Sequence, residues 1–298
     1  MDNDIKVSLV TVTYNNYGII KKSLQSFITF LNDYLDEIII FDNASTDKTI
    51  DEIDNKDSRI RIIKSEQNLG YRKAINILLK LAKNEIVIVT NPDIYLIDNS
   101  IINIVKIMMN DKKIAIGNPI PITQKNLMFK ELLPCILYKR ISSSKLIKSD
   151  KRIVESSIGG GSIFIIRKNI FNEIGGFSEN CFMFGEEIEM SYKVLQKGYK
   201  IIWDTHSQVI HDYSYSIRRV RDKKLINKLK YSFYCSLINC YKLSYNNKNS
   251  IYKFSFFIFY FSLAIIRSIY KLSIRDFIAS IKVLLDNQYS RKYNASLY

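Results

Sequence analysis

The chain has 298 residues, enough for one large domain or two modest ones, and its 47% apolar content supports a packed core and excludes a disordered chain. It carries 44 Lys+Arg against 29 Asp+Glu, net +15, and its two histidines, His206 and His211, exclude histidine-rich metal catalysis. Cys135, Cys181, Cys235 and Cys240 form no CxxC pair, so neither a zinc site nor a disulfide framework is indicated, and with no visible signal peptide a reduced, cytoplasmic protein is expected.

In chain order, "IKVSLVTVTY" is an apolar, β-branched run that begins a strand near residue 5. "GIIKKSLQSFITFL" repeats Ile20, Leu24, Phe27, Ile28 and Leu31 at helical spacing. "EIIIFD" gives a strand from near residue 37, "STDKTIDEI" a helix, and "RIRIIKS" a strand from near residue 60. "YRKAINILLKLAK" predicts a helix and "EIVIVT" a strand from near residue 85. Further strands are expected at about 113–117, 161–166 and 200–203. Short, continuously apolar strands alternating with helices predict an α/β fold with a mainly parallel central sheet flanked by helices.

The charge marks a boundary near residue 216. Residues 217–298 hold 16 basic and 3 acidic residues, net +13, whereas residues 1–216 are close to neutral at net +2. "LINKLKYSFYCSLINCYKL" carries a helical stripe with lysines between, so 217–298 reads as a basic, aromatic-rich helical extension. Its "FSFFIFYFSLAII" (254–266) has thirteen uncharged residues, short of the roughly 20 that span a bilayer. That segment either packs on the preceding domain or touches an anionic membrane surface, where basic and aromatic residues are favoured. No nucleic-acid module is recognisable, so nucleic acid is not an expected partner.

In open α/β sheets, ligands bind beyond the carboxyl ends of the strands. Those ends read Thr13-Tyr14-Asn15-Asn16, Asp42-Asn43, Asn68-Leu69-Gly70 and Asn91-Pro92-Asp93. The first lacks GxGxxG, and the chain has neither a P-loop nor GxSxG, which argues against a dinucleotide fold, a phosphate-loop enzyme and a serine hydrolase. A nucleotide-sugar site is what the four ends offer. Asp42 accepts the N3–H of a pyrimidine or closes an Asx turn. Tyr14 and Asn15 line base and ribose. Arg72 faces a diphosphate or sits on the surface. Asp93 anchors Mg²⁺ or Mn²⁺ through oxygen or caps a turn after Pro92.

"CFMFGEEIEMSYKVLQKGYKIIW" then places Glu186, Glu187 and Glu189 directly before an apolar helical pattern. Acidic residues suit a first helical turn, and one of them can alternatively act as a base. Glu186 and Glu189 share a helical face and Glu187 points elsewhere, so the three do not converge on one substrate. Ile188, Tyr192 and Leu195 are expected to face the core.

Taken in order, "VSLVTVTYNN", "IIIFDNASTDKT", "NLGYRKAIN", "VTNPDI", "GGGSIFIIRKNIFNEIGGFSENCFMFGEEIEMSYKVLQKGYKIIW" and "SQVIHDYSYS" resemble the family-2 inverting glycosyltransferases of the GT-A fold. The NPD form resembles their rhamnosyltransferase-like branch. The resemblance covers about residues 5–215. It implies a catalytic domain over 1–216, with a nucleotide-sugar half to about residue 110 and an acceptor half over 111–216. It implies a UDP- or TDP-sugar donor bound by Thr13, Tyr14, Asn15, Asp42, Asn43, Gly70, Arg72, Asn91 and Asp93. It further implies a divalent metal, Mn²⁺ or Mg²⁺, on Asp93 and His211. Gly160, Gly161 and Glu186 would lie at the sugar or acceptor, a surface glycan or lipid-linked hydroxyl. Glu187 stands where the family has its general base, usually Asp, and Asn91 where many relatives have a carboxylate. A non-catalytic nucleotide-sugar-binding or scaffold relative is the alternative those two departures favour. The resemblance places the protein in the cytoplasm, with the inner membrane face as a docking surface, and leaves oligomeric state open.

Overall fold

The computed structural model describes residues 5–53, 56–122 and 150–212, with Ser262 and Ile278 as isolated positions. Apart from those two positions, the expected extension over 217–298, with its apolar 254–266 segment, lies outside the described residues. Among the described residues, no helix is long and apolar enough to cross a membrane.

Every residue of β1 (Val7–Thr13) is buried, so the strand needs neighbours at both edges and cover on both faces. It pairs in parallel with β2 (Leu35–Asp42) on one side and β4 (Ile86–Thr90) on the other, and β3 (Ile60–Lys64) continues the parallel set beyond β2. The remaining strands are β5 (Ile94–Leu96), β6 (Ile114–Ile122), β7 (Ile153–Glu155), β8 (Ile163–Arg167) and β9 (Lys200–His211). The sheet runs β3-β2-β1-β4-β8-β6-β9-β5, with β7 pairing β9 off this path.

The expected mainly parallel sheet holds for the first half only. β8 runs antiparallel to both β4 and β6, and β9 is parallel to β6 but antiparallel to β5 and β7. An apolar run reports burial on both faces, and a central strand is buried whichever way its neighbours point. Direction was therefore invisible in the strand residues themselves.

Alternation along each strand divides the core in two. Leu9, Ile38, Ile40, Ile88 and Ile165 meet Ile20, Leu24, Phe27 and Leu31 of α1 (Ile20–Leu31) and Ile104, Val105 and Met108 of α3 (Ile101–Asn110). Val10, Ile39, Phe41, Val87 and Phe164 meet the opposite layer. That layer is Ala74, Ile75 and Leu78 of α2 (Tyr71–Leu81), Phe171 of α4 (Lys168–Glu173), and Met190 and Val194 of α5 (Glu186–Gln196). On α5 the buried face differs from the expected one: Ile188 is buried, but Tyr192 and Leu195 are only partly so, and Met190 and Val194 carry the contact.

The segment "STDKTIDEI" forms no helix among the described residues. Its side chains bind the backbone after β1 instead. Thr49 Oγ1 accepts the N–H of Asn16 at 2.7 Å, Asp47 Oδ2 that of Tyr17 at 3.3 Å, and Glu52 that of Gly18 at 2.9 Å. Such side-chain-to-backbone bonds compete with helix formation.

Gly117 lets α3 press onto β6: a Cβ there would lie 2.2 Å from Ile104 Cγ2 and 3.0 Å from Met108 Sδ. Gly117→Ala is expected to lower unfolding free energy by about 1–3 kcal/mol. The measurement is a urea titration, with a lower midpoint at unchanged slope.

Candidate active site

The carboxyl ends of β1 and β2 form one tied edge. Thr13 pairs with Asp42 in register, and Asn43 donates its N–H to the Thr13 carbonyl at 2.9 Å. Asn16 Oδ1 accepts both Thr13 Oγ1–H at 3.0 Å and the Tyr14 N–H at 2.9 Å. Asn15 sits at φ +53°, a region asparagine tolerates, and is clamped to the next loop through Ser45 Oγ and the Thr46 N–H. Asp42 is buried, and its Oδ1 accepts the Ser45 N–H at 3.2 Å, the expected Asx turn. Its Oδ2 takes no hydrogen bond among the described residues. Asn43 Oδ1 accepts the Leu69 N–H at 2.7 Å, which brings Gly70 and the start of α2 to the same edge.

The second group forms where β4 ends. Asn91 donates its N–H to the Ser162 carbonyl at 2.8 Å, and Pro92 turns the chain into β5. Ile94 pairs with His211 across β5 and β9, and the Asp93 carbonyl accepts the Asp212 N–H at 2.9 Å. This pairing sets His211 Nε2 3.5 Å from Asp93 Oδ1, with both side chains buried. Two ligands each about 2.0–2.1 Å from one ion stand roughly 3–4 Å apart, so the pair fits a shared divalent cation. Among the described residues no third His, Cys, Asp or Glu joins them. A hard cation with two protein ligands takes the rest from water and from a phosphate-bearing ligand.

The third group is the first turn of α5. Two residues with positive φ, Phe184 (+75°) and Gly185 (+70°), aim the chain into the helix. Glu189 turns inward: its Oε2 accepts from Arg72 Nη1 at 2.5 Å, and its Oε1 accepts the Ser178 N–H and Lys193 Nζ, each at 2.9 Å. Glu186 is buried with Oε2 3.8 Å from Arg72 Nε, too long for a hydrogen bond. Glu187 is half-buried and its carboxylate makes no hydrogen bond or ion pair among the described residues. It lies against Gly161, where a Cβ would come 3.4 Å from Glu187 Oε2.

Arg72 therefore departs from the expected diphosphate contact. It is 1% exposed, and its guanidinium is spent on Glu189, the Phe184 carbonyl at 2.6 Å and the Ser178 carbonyl at 3.4 Å. Gly70, at φ +85°, serves close approach: a Cβ would stand 2.5 Å from the Phe182 carbonyl oxygen. The loop before α5 also holds Cys181, which is buried.

Electrostatics tie these groups together. Burial first, and then the negative charges of Glu186, Glu187 and Asp93, push the Tyr71 hydroxyl well above its usual pKa. Three carboxylates, from the β4–β5 turn and from α5, thus act on one buried hydroxyl. The Glu186 carboxyl is pushed up to about 7, chiefly by burial and then by the Glu187 charge, with the Arg72 cation working the other way.

Sequence reasoning missed Tyr71, Asn118 and Ser191. Asn118 Oδ1 accepts the Gly160 N–H at 2.7 Å while its Nδ2 donates to the Ile202 carbonyl at 2.8 Å. Ser191 Oγ accepts the Gly159 N–H at 2.9 Å and donates to the Glu187 carbonyl at 2.5 Å. A lone amide inside "IAIGNPIPI" was a signal in plain view.

The pattern described as glycosyl transferase family 2 matches residues 8–175, which include Asp42, Asp93 and Gly161. The chain belongs to this family. It is 26% identical over 223 residues to the O-antigen chain rhamnosyltransferase RfbN of Salmonella typhimurium, covering 72% of this chain and 68% of that one. It is 21% identical to an N-acetylglucosaminyl-diphospho-decaprenol L-rhamnosyltransferase of Mycobacterium tuberculosis, over 71% of this chain and 77% of that one. Among solved structures, the mannosyltransferase PcManGT of Pyrobaculum calidifontis, in complex with GDP-Man and Mn²⁺, superposes with TM-score 0.56 at 16% identity, over 95% of this chain and 88% of that one. GalNAc-T7 with UDP, GalNAc and Mn²⁺ superposes with TM-score 0.58 at 21% identity, over 72% of this chain and 45% of that one. These likenesses establish the GT-A fold.

A carboxyl whose pKa rises from 4.5 to about 7 on folding binds more protons folded than unfolded between those values, so stability falls as pH rises through that window. Glu186→Gln is expected to remove that limb. Thermal unfolding across pH 4–8 should show the wild type losing on the order of 1–3 kcal/mol relative to the variant.

Proposed function

We propose that this glycosyltransferase transfers a sugar from a pyrimidine-nucleotide diphosphate donor to a hydroxyl of a surface glycan or lipid-linked acceptor, by a single displacement that inverts the anomeric centre. The observation that carries the reading is the Glu187 carboxylate: half-exposed, uncompensated, against Gly161, and acting on the same Tyr71 hydroxyl as Asp93. Glu187 takes the proton of the acceptor hydroxyl as its oxygen attacks the anomeric carbon. The bond to the diphosphate oxygen breaks, and that oxygen leaves with the electron pair.

On the donor side, Asp42 Oδ2 accepts the N3–H of uracil or thymine, and Tyr14 and Asn15 line base and ribose. Thr13 and Asn43 brace that edge through backbone and side-chain bonds. Asn91, Gly160, Gly161 and Glu186 border the sugar. Holding the donor this way supplies rate through proximity. Asp93 and His211 would hold a divalent metal, Mn²⁺ or Mg²⁺, which when bound neutralises charge on the diphosphate as a Lewis acid. The names of both sequence relatives specify rhamnose, which makes TDP-rhamnose the first donor to try. We assign residues 1–110 to donor binding and 111–216 to the acceptor. The basic residues of 217–298 meet the anionic inner face of the cytoplasmic membrane.

Glu187→Gln is expected to lower transfer by about 10²–10⁴-fold while binding of UDP or TDP stays within a few-fold. Activity close to wild type in that variant would remove Glu187 from the role. Chelation with EDTA is expected to abolish transfer and excess Mn²⁺ to restore it. In Asp93→Asn the Mn²⁺ concentration for half-maximal rate should rise at least about tenfold, since second-shell losses alone cost 10–100-fold.

A further inference from the structure

Arg72 lies on the first turn of α2, next to Tyr71, whose N–H donates to the Phe182 carbonyl at 2.9 Å. From there its guanidinium reaches three points of the segment that delivers Glu187. It holds the Ser178 carbonyl before the turn, the Phe184 carbonyl at the left-handed residue ahead of α5, and the Glu189 carboxylate inside the helix. Glu187 lies between the last two. Glu189 doubles the tie by accepting the Ser178 N–H and Lys193 Nζ. α2 in turn packs Ala74, Ile75 and Leu78 on the strands that carry Asp42 and Thr90. The guanidinium is thus a rivet between the sheet edge and the start of α5.

We propose that Arg72 is a positioning residue for Glu187: it sets where the first turn of α5 stands, and by occupying Glu189 and facing Glu186 it leaves Glu187 as the uncompensated carboxylate. The proposal rests on the reading of Glu187 as the base. A planar fork suits the site, because two separate nitrogens, Nη1 and Nη2, reach Glu189 and the Phe184 carbonyl, where a lysine offers a single nitrogen.

The test is a double-mutant cycle on the full-length protein with Mn²⁺, measuring TDP release from TDP-rhamnose and TDP binding by calorimetry. Arg72→Met is expected to lower kcat about 100-fold, the size of effect a 1 Å misplacement of a reacting group produces, with the TDP Kd within threefold. Arg72→Lys recovers no more than about a tenth of the loss. Glu187→Gln/Arg72→Met turns over within threefold of Glu187→Gln alone, because the arginine acts through the missing carboxylate. The proposal is overturned if Arg72→Met weakens TDP binding tenfold at near-normal kcat, which is the signature of a diphosphate contact. It is overturned equally if the two losses multiply in the double variant. Where Arg72→Met does not fold, Arg72→Lys carries the same comparisons, since it keeps the buried charge. Glu187→Gln at wild-type rate is a separate result: it removes the base itself, whatever Arg72 does.

Discussion

One buried guanidinium cannot neutralise three carboxylates, and the candidate site is organised around that shortage. Arg72 is 1% exposed and makes its short contact with Glu189, which is equally buried. Desolvating both groups costs several kcal/mol each, and removing one partner of such a pair typically costs about 3–5 kcal/mol. The pair is therefore weak as a source of stability and strong as a constraint on position. It brings α2 and α5 together at their first turns, and it supports Phe184, whose left-handed backbone costs roughly 1–2 kcal/mol. Glu186 is left with a cation too distant to bond, and its carboxyl moves up to about 7. Glu187, one position on, turns out of this cluster toward Gly161. The acidic run is not a uniform response to the helix dipole: three neighbours take three electrostatic states.

A second constraint acts where β5 and β9 meet. β9 is twelve residues long, and its last residue, not its apolar start, reaches the site. Its pairing with β6 slips between Asp204 and Gln208, where Asp204 gathers Ser207 Oγ–H, the His206 N–H and Arg152. Past that irregularity the strand crosses to the three-residue β5 and delivers His211 to Asp93. Two residues 118 positions apart meet because a short strand after the Asn-Pro-Asp turn caps a long one.

This explains which parts were legible in the sequence. β1, β2, β4, α1 and α2 follow from apolar runs and helical spacing alone, because both faces of that half are covered: β1 and β4 are buried throughout and β2 from Ile38 onward. β5 and β7, three residues each, are too short for any periodicity to register, and the Asp93–His211 approach depends on one of them. The strand-end polar residues were visible as candidates, and so was the Asx turn at Asp42, but the remaining duties were not. Asp42 and Asn43 brace neighbouring loops, and Arg72 faces inward because two carboxylates more than a hundred residues away claim it. A charge near a glycine reads as exposed until its partner is known, and the partner is set by tertiary packing. The face of α5 was misjudged for the same reason: Glu186 and Glu189, polar by sequence, are buried by Arg72, which rotates Met190 and Val194 onto the core.

Three glycines in a row, Gly159-Gly160-Gly161, would suit a flexible loop before β8, and the geometry argues against that. None of the three has positive φ, so backbone freedom is not what requires glycine. Gly160 does need the missing side chain, since a Cβ would fall 2.9 Å from the Ile163 carbonyl oxygen and 3.4 Å from the Trp203 ring. Gly159 and Gly160 each give their N–H to a buried side chain, Ser191 on α5 and Asn118 on β6. Ser191 also donates to the Glu187 carbonyl, so the glycine floor and the helix that bears Glu187 are joined by a single hydroxyl. Gly161 then lies where any side chain would occupy the space in front of the Glu187 carboxylate. With no side chain at Gly161, the Glu187 side chain packs directly against the backbone there. Gly161 and Glu187 are coupled sterically: a side chain at 161 changes the room available to the carboxylate.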